Sequence, residues 1–220
     1  MTITYPRTFP DAEVKATRVR FDYTTLGEMS RTAAGAISFQ ERMGGSLWEL
    51  SLTTKPLNET DYSRWHAWYL SLRGGVQSFF AYDVRRCWPL AYGPGVMSLI
   101  RVSSGLTFDG TCDVLAVGGS TITLGNLPAN YKVSVGDYIS FPWLGGRALV
   151  KALEPVTGSA GGSTAAFTVG PWLRTPGSLP PSRSATVVKA YCLMRPKPGS
   201  WQGERTVATP VSFEAIQTLV

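Results

Sequence analysis

Residues 45–82 combine a strand, a helix and a second strand, and they constrain the fold more than any other segment. Trp48, Leu50 and Leu52 alternate with more polar residues, and this period of two predicts a strand with one buried face. Pro56 ends the strand, because proline has no N–H to donate to a ladder. The chain that follows is expected to leave the sheet.

A helix over 58–73 is predicted by its end signals and by its apolar spacing. Asn58 suits an N-cap, since its side-chain oxygen can accept from the free amides of a first turn. Gly74 and Gly75 supply the left-handed backbone that ends a helix. Residues three and four apart share one face, which Trp68 widens: Tyr62, Trp65, Tyr69 and Leu72.

The strand after the helix completes a predicted helix-on-sheet core motif. In it Phe80 lies on the face shared by Ser78 and Tyr82, with Phe79 on the other face. The core motif then consists of Trp48, Leu50, Leu52, Tyr62, Trp65, Tyr69, Leu72 and Phe80. Core packing is the expected role of the aromatic stripe, and an aromatic groove for sugars or bases is the alternative.

The rest of the chain predicts a mainly β protein with one prominent α-helix. Residues 16–23, 36–42, 96–102 and 186–194 read as strands, the polar stretch 24–34 reads as a loop, and residues 1–14 read as an arm rather than a core element. Gly118 and Gly119, which lie between two short apolar runs, are a hairpin signal. From residue 106 short apolar runs alternate with turn residues, a pattern typical of a small barrel or sandwich. We therefore expect a β-sandwich from 1–105 plus 195–220, with a small β-barrel, 106–194, inserted before its last strand.

Composition and charge exclude several classes of protein. Hydrophobic residues make up 44% of the chain and charged residues 16%, which argues against disorder. The formal net charge of +6 is scattered without a run of five basic residues, so no nucleic-acid specificity is expected. No stretch approaches the ~20 apolar residues of a membrane span, and no signal peptide begins the chain.

No catalytic or metal-binding pattern stands out in the sequence. His66 is the single histidine, and the three cysteines are too far apart for metal-ligand spacing: Cys87, Cys112 and Cys192. The acids beside apolar runs read as turn or surface residues: Glu49, Asp109, Asp113, Asp137, Glu154 and Glu214. The prediction is therefore no enzyme, no cofactor and no metal.

Three tryptophans of the loop-rich half, Trp143, Trp172 and Trp201, are candidate contact residues. Exposed tryptophans anchor protein interfaces or stack on sugar rings. Core packing or a protein interface is the favoured role, and a glycan contact is the alternative.

Residues 47–83 (LWELSLTTKPLNETDYSRWHAWYLSLRGGVQSFFAYD) resemble a segment of tail-tip proteins of tailed bacteriophages. Residues 133–141 (VSVGDYISF) and 169–174 (VGPWLR) resemble the second half of the distal tail proteins of long-tailed phages. The resemblance covers about 40–175, and none of its motifs carries chemistry.

Membership of this family implies a structural protein of the virion tail tip, made in the bacterial cytoplasm. Such proteins form a ring, usually a hexamer, that joins the tail tube protein to the tail-tip hub protein, with the tape measure protein as a further partner. In some members the second β module resembles carbohydrate-binding domains. A carbohydrate- or receptor-binding module is therefore the alternative function, and a tail-tip hydrolase is a third.

Overall fold

The computed structural model describes residues 3–10, 14–24, 27–32, 35–41, 47–143, 146–171, 184–203 and 209–219. Its single α-helix, α1, is Glu59–Ser71, and 3₁₀ turns follow at Arg73–Gly75 and Gly93–Ser98. The strands in chain order are β1 Ala16–Thr24, β2 Gly27–Arg31, β3 Ile37–Glu41, β4 Leu47–Thr54, β5 Phe79–Tyr82, β6 Thr111–Val117, β7 Thr121–Gly125, β8 Lys132–Val133, β9 Tyr138–Trp143, β10 Gly146–Ala152, β11 Val156–Thr157, β12 Phe167–Gly170, β13 Ser184–Thr186, β14 Tyr191–Pro196 and β15 Ser212–Gln217. The predicted class, mainly β with one helix and a small barrel, is confirmed.

The first module is built on a five-stranded antiparallel sheet in the order β1-β4-β15-β14-β5. The last strand pairs with the strand of the opening motif, from Ser212 beside Thr53 to Ile216 beside Glu49. This pairing agrees with the expectation that the C-terminal segment returns to the first module. The sheet therefore combines residues from both ends of the chain.

Helix α1 covers one face of this sheet, and its ends follow the sequence signals. The Asn58 side chain accepts a hydrogen bond from the Asp61 N–H at 2.8 Å. Beyond the helix Gly75 has φ +101°, and a Cβ there would lie 2.7 Å from the Pro196 carbonyl oxygen. Trp65 and Trp68 are each 1% exposed. Buried aromatic side chains of this size supply much of the apolar burial that stabilises a core.

The N-terminal segment packs on its own chain. Phe9 is buried among Trp65, Trp68 and Phe79, with ring centroids 5.6–6.1 Å apart. The backbone of Arg7 bridges to Phe79, so this segment lies along the outer edge of β5. The sequence analysis assigned residues 1–14 to an arm outside the core. That assignment is wrong for Phe9, whose apolar neighbours come from distant parts of the chain.

The second module is a closed six-stranded barrel in the order β10-β12-β7-β6-β13-β9, with β9 pairing back to β10. The predicted hairpin at Gly118 and Gly119 joins β6 to β7. Alternate residues fill the barrel interior, including Ile122, Leu124, Phe141, Val150 and Phe167. Closure leaves the barrel without a free edge among these six strands.

The predicted strand over 186–194 is in fact two strands in two different sheets. Strand β13 closes the barrel at Thr186, and β14 begins at Tyr191 in the five-stranded sheet. Lys189 has φ +46°, and it lies in the turn where the chain crosses between modules. The predicted strand at 96–102 is also wrong, since Gly93–Ser98 forms a 3₁₀ turn. Val96 is fully buried, whereas Met97, Ile100 and Val102 are 40–52% exposed. Ile100 and Arg101 form only isolated bridges, to Thr107 and Pro128.

The two modules share a packed junction. The Trp48 indole N–H of the sheet donates to the Leu149 carbonyl of the barrel at 2.8 Å, and both residues are 2% exposed. The Tyr138 ring contacts Phe21 and Trp48 at 6.0 and 5.6 Å. This junction fixes β1 against the rim of the barrel.

Candidate functional site: surfaces for assembly

Most of the predicted core motif packs as expected. Trp48, Leu50 and Leu52 are 0–2% exposed, and so are Trp65 and Leu72. The helix face meets the sheet through Phe213 of β15, whose ring lies 6.2 Å from that of Trp65. With these side chains buried in packing, the aromatic stripe offers no groove to a ligand.

Tyr62 and Tyr69 lie at the border of the core motif and have a second role. Their rings contact Trp201 at 6.5 and 4.7 Å, and the Tyr62 hydroxyl donates to the Gly203 carbonyl. His66 stacks on Tyr62 at 5.9 Å and contacts Trp201 at 5.6 Å. Trp201 therefore packs the segment before β15 onto α1. This packing gives the Trp201 ring a structural role that needs no bound glycan.

Phe80 is the one misplaced member of the core motif. Phe79 and Ala81 are fully buried, and Phe79 contacts Trp68 at 5.1 Å. Phe80 is only half-buried, and its ring lies 4.8 Å from that of Tyr191 in the neighbouring strand. Phe79 and not Phe80 therefore faces the core. Because β5 carries aromatic rings on both faces, alternation alone does not say which face is buried.

Trp143 is a core residue of the barrel and not a surface contact. It is 8% exposed and packs edge-on against Phe141 at 5.9 Å. Trp172 lies outside the described residues, so its predicted contact role stays a prediction. The described tryptophans of the loop-rich half therefore provide no stacking platform for a sugar.

Strand β2, which the sequence analysis missed, forms a β-hairpin with β3, and this hairpin exposes large apolar side chains. Strands β2 and β3 pair with each other and with no other strand in the described ranges. Their register pairs Met29 with Phe39 and Arg31 with Ile37, so positions 29, 31, 37 and 39 share one face. Met29 and Ile37 are 64% and 53% exposed. The prediction of a loop over 24–34 is wrong for β2.

Exposed apolar side chains on an isolated hairpin are a signal for a partner. Two strands alone are marginally stable in water, and a third strand or a packed surface normally completes them. Ser30 and Ser38 form a directly paired position on the other face. In the sequence, apolar and polar residues alternate within 28–31 and within 37–40. The polar residues around these ranges make the alternation hard to recognise.

Strand β1 is the second surface with unmet pairing capacity. It is nine residues long and lies at the end of the sheet order, with β4 on one side. In the part of the chain that the structure describes, no strand pairs with its outer edge, although the Arg85 guanidinium donates to the Thr17 carbonyl. An unpaired edge is a template for strand addition.

Three of the acids named in the sequence analysis have structural roles. Burial raises the pKa of Asp137, whose two oxygens accept from the N–H groups of Leu90 and Ser134 at 2.8 Å. Glu49 and Glu214 lie on the solvent side of the sheet, where Lys197 pairs with both at 3.6 and 3.3 Å. Among the described residues no three His, Cys, Asp or Glu side chains group as metal ligands.

Comparison with known proteins assigns no relative. No protein-family model matches the chain, and no curated protein matches it. Within the described residues no helix has the length and apolar character needed to span a membrane.

Proposed function

We propose that the protein is a structural component of a bacteriophage tail tip and acts by assembly. In this role it forms a ring, expected to be a hexamer, at the distal end of the tail. The ring joins the tail tube protein to the tail-tip hub protein and lies next to the tape measure protein. The resemblance of residues 47–83, 133–141 and 169–174 to distal tail proteins supports this role.

The observation that carries the proposal is the β2–β3 hairpin. A ring needs a heterologous contact, in which one patch of each subunit meets a different patch of the next. The hairpin leaves the side chains of Met29 and Ile37 exposed to water on one face, and this face can supply one of the two patches. Burial of the two side chains in a neighbour stabilises the contact by about 1.5–3 kcal/mol each.

Solution mass by light scattering, with negative-stain images of the same peak, tests the proposal. We expect closed particles with a central channel and a mass about six times the 23.8 kDa of the chain. The Met29→Ser, Ile37→Ser double variant should lose the ring and keep its far-UV circular dichroism. The matched control is Leu106→Ser with Val135→Ser, which are 68% and 54% exposed and lie outside the hairpin.

A wild-type protein that stays monomeric at every concentration tested contradicts autonomous ring formation. Rings that survive the hairpin variant show that another surface holds them together. Equal loss of rings in the control variant would assign the effect to general surface polarity and not to the hairpin.

A further inference from the structure

We propose that the cleft between β1 and the barrel binds an extended acidic peptide segment of a partner protein. The cleft has a volume of about 500 Å³. Three parts of the fold line it: β1, the loop after β5 and the rim of the barrel at β9 and β10. Its charged lining residues are Arg20, Asp22, Asp83, Arg85, Arg86 and Lys151.

Three cations of the cleft have no carboxylate partner in the described structure. Arg20, Arg86 and Lys151 form no ion pair within 4 Å to any described residue. The Lys151 ammonium lies instead over the ring of Tyr138 at 4.8 Å and near the ring of Trp48 at 5.8 Å. Aromatic faces attract a cation weakly and leave its hydrogen-bond donors free.

The two carboxylates of the cleft are already engaged. One Asp83 oxygen accepts from the Arg85 N–H at 3.0 Å, and the other accepts from the Tyr138 hydroxyl at 3.4 Å. Asp22 accepts from the N–H of Tyr23 at 2.9 Å. The chain thus gathers four cations and two anions, and it directs the anions toward neutral donors.

The cations also disfavour one another. Burial, followed by repulsion from Arg86, lowers the pKa of Lys151, and attraction to Asp22 and Asp83 offsets only part of this shift. An incoming carboxylate relieves this repulsion and accepts charge-assisted hydrogen bonds from several donors. The cleft therefore has a higher affinity for an anion than exposed basic residues scattered over the surface.

The open edge of β1 argues for a peptide as the carrier of that anion. Val19, Arg20, Phe21 and Asp22 of β1 themselves line the cleft. A peptide strand added to β1 brings alternate side chains toward the cleft while its backbone pairs with the edge. A polyanion such as nucleic acid is disfavoured, because successive phosphates would approach Asp22 and Asp83.

This inference is independent of the ring, since a monomer has the same cleft and the same edge. The probe is a fluorescein-labelled peptide of alternating valine and threonine with one central glutamate. Its matched control has glutamine in place of glutamate. Fluorescence anisotropy gives the affinity of each peptide for the full chain.

We expect the glutamate peptide to bind at least tenfold more tightly than the glutamine peptide, as charge-assisted hydrogen bonds imply. Arg20→Gln and Lys151→Met should each remove most of this difference, whereas Lys132→Met should not. Lys132 is an exposed lysine of β8 outside the cleft. Arg20 is exposed, so we expect Arg20→Gln to leave the fold intact. This variant therefore tests the proposal even if Lys151→Met disturbs the fold.

Amide hydrogen exchange locates the peptide. Slower exchange in 17–23 on binding supports strand addition to β1. Equal affinity for the two peptides overturns the proposal, and so does displacement of the glutamate peptide by millimolar inorganic phosphate without protection of β1. The second result assigns the cleft to free anions.

Discussion

The substitution Trp48→Phe tests whether one indole hydrogen bond holds the barrel against the sheet. Phenylalanine keeps an aromatic ring beside Phe21, which stacks on Trp48 at 5.4 Å. It removes the donor that reaches the buried Leu149 carbonyl at 2.8 Å. Loss of a donor to a buried acceptor costs about 1–3 kcal/mol. The smaller ring adds about 1–2 kcal/mol of lost packing, within the usual range for core substitutions.

Trp143→Phe is the matched control for this prediction. Trp143 is also buried and also contacts an aromatic ring, but its indole N–H makes no hydrogen bond to a described residue. Urea unfolding is followed by far-UV circular dichroism, because each variant loses a fluorophore. We expect Trp48→Phe to lower the free energy of unfolding by at least about 1 kcal/mol more than the control. Equal losses in the two variants would refute the reasoning.

Two further predictions concern the helix cap and the thiols. Asn58→Ala removes the acceptor of the Asp61 N–H and should lower the free energy of unfolding by about 1 kcal/mol, while Asn58→Asp keeps it; urea midpoints decide, and equal midpoints contradict the capping role. In the native protein only the half-buried Cys87 should react with a disulfide reagent. Burial raises the pKa of this thiol, so the reaction should become faster as the pH rises and more thiolate forms. Burial also raises the pKa of Cys112 to about 12 and that of Cys192. Reaction of more than one thiol per chain before unfolding would contradict this prediction.

The segment 45–82 could be predicted because its signals are local. The cap at Asn58, the glycines after the helix and the spacing of the apolar residues all act within a few turns of chain. The parity of β5 could not be predicted from its own residues, since Phe79 and Phe80 are equally apolar. The structure assigns them through distant partners, α1 for Phe79 and Tyr191 of β14 for Phe80.

The candidate surfaces were harder to predict than the core. Strand β2 carries a single large apolar residue, Met29, so its alternation shows only beside β3. The cleft draws on β1, the loop after β5 and two barrel strands, and no spacing along the chain marks that convergence. Core packing was among the roles favoured for Trp143, and in the structure this residue continues the buried run of β9.

The place of β15 in the sheet has a consequence for synthesis on the ribosome. The barrel strands come from one continuous stretch, 111–186, and every partner they need is translated together. The sheet differs, because its middle strand, Ser212–Gln217, is translated after all its neighbours. Until that segment emerges, β4 and β14 have no strand between them. The sheet therefore closes, and Trp201 docks onto α1, only after all the barrel strands have been translated.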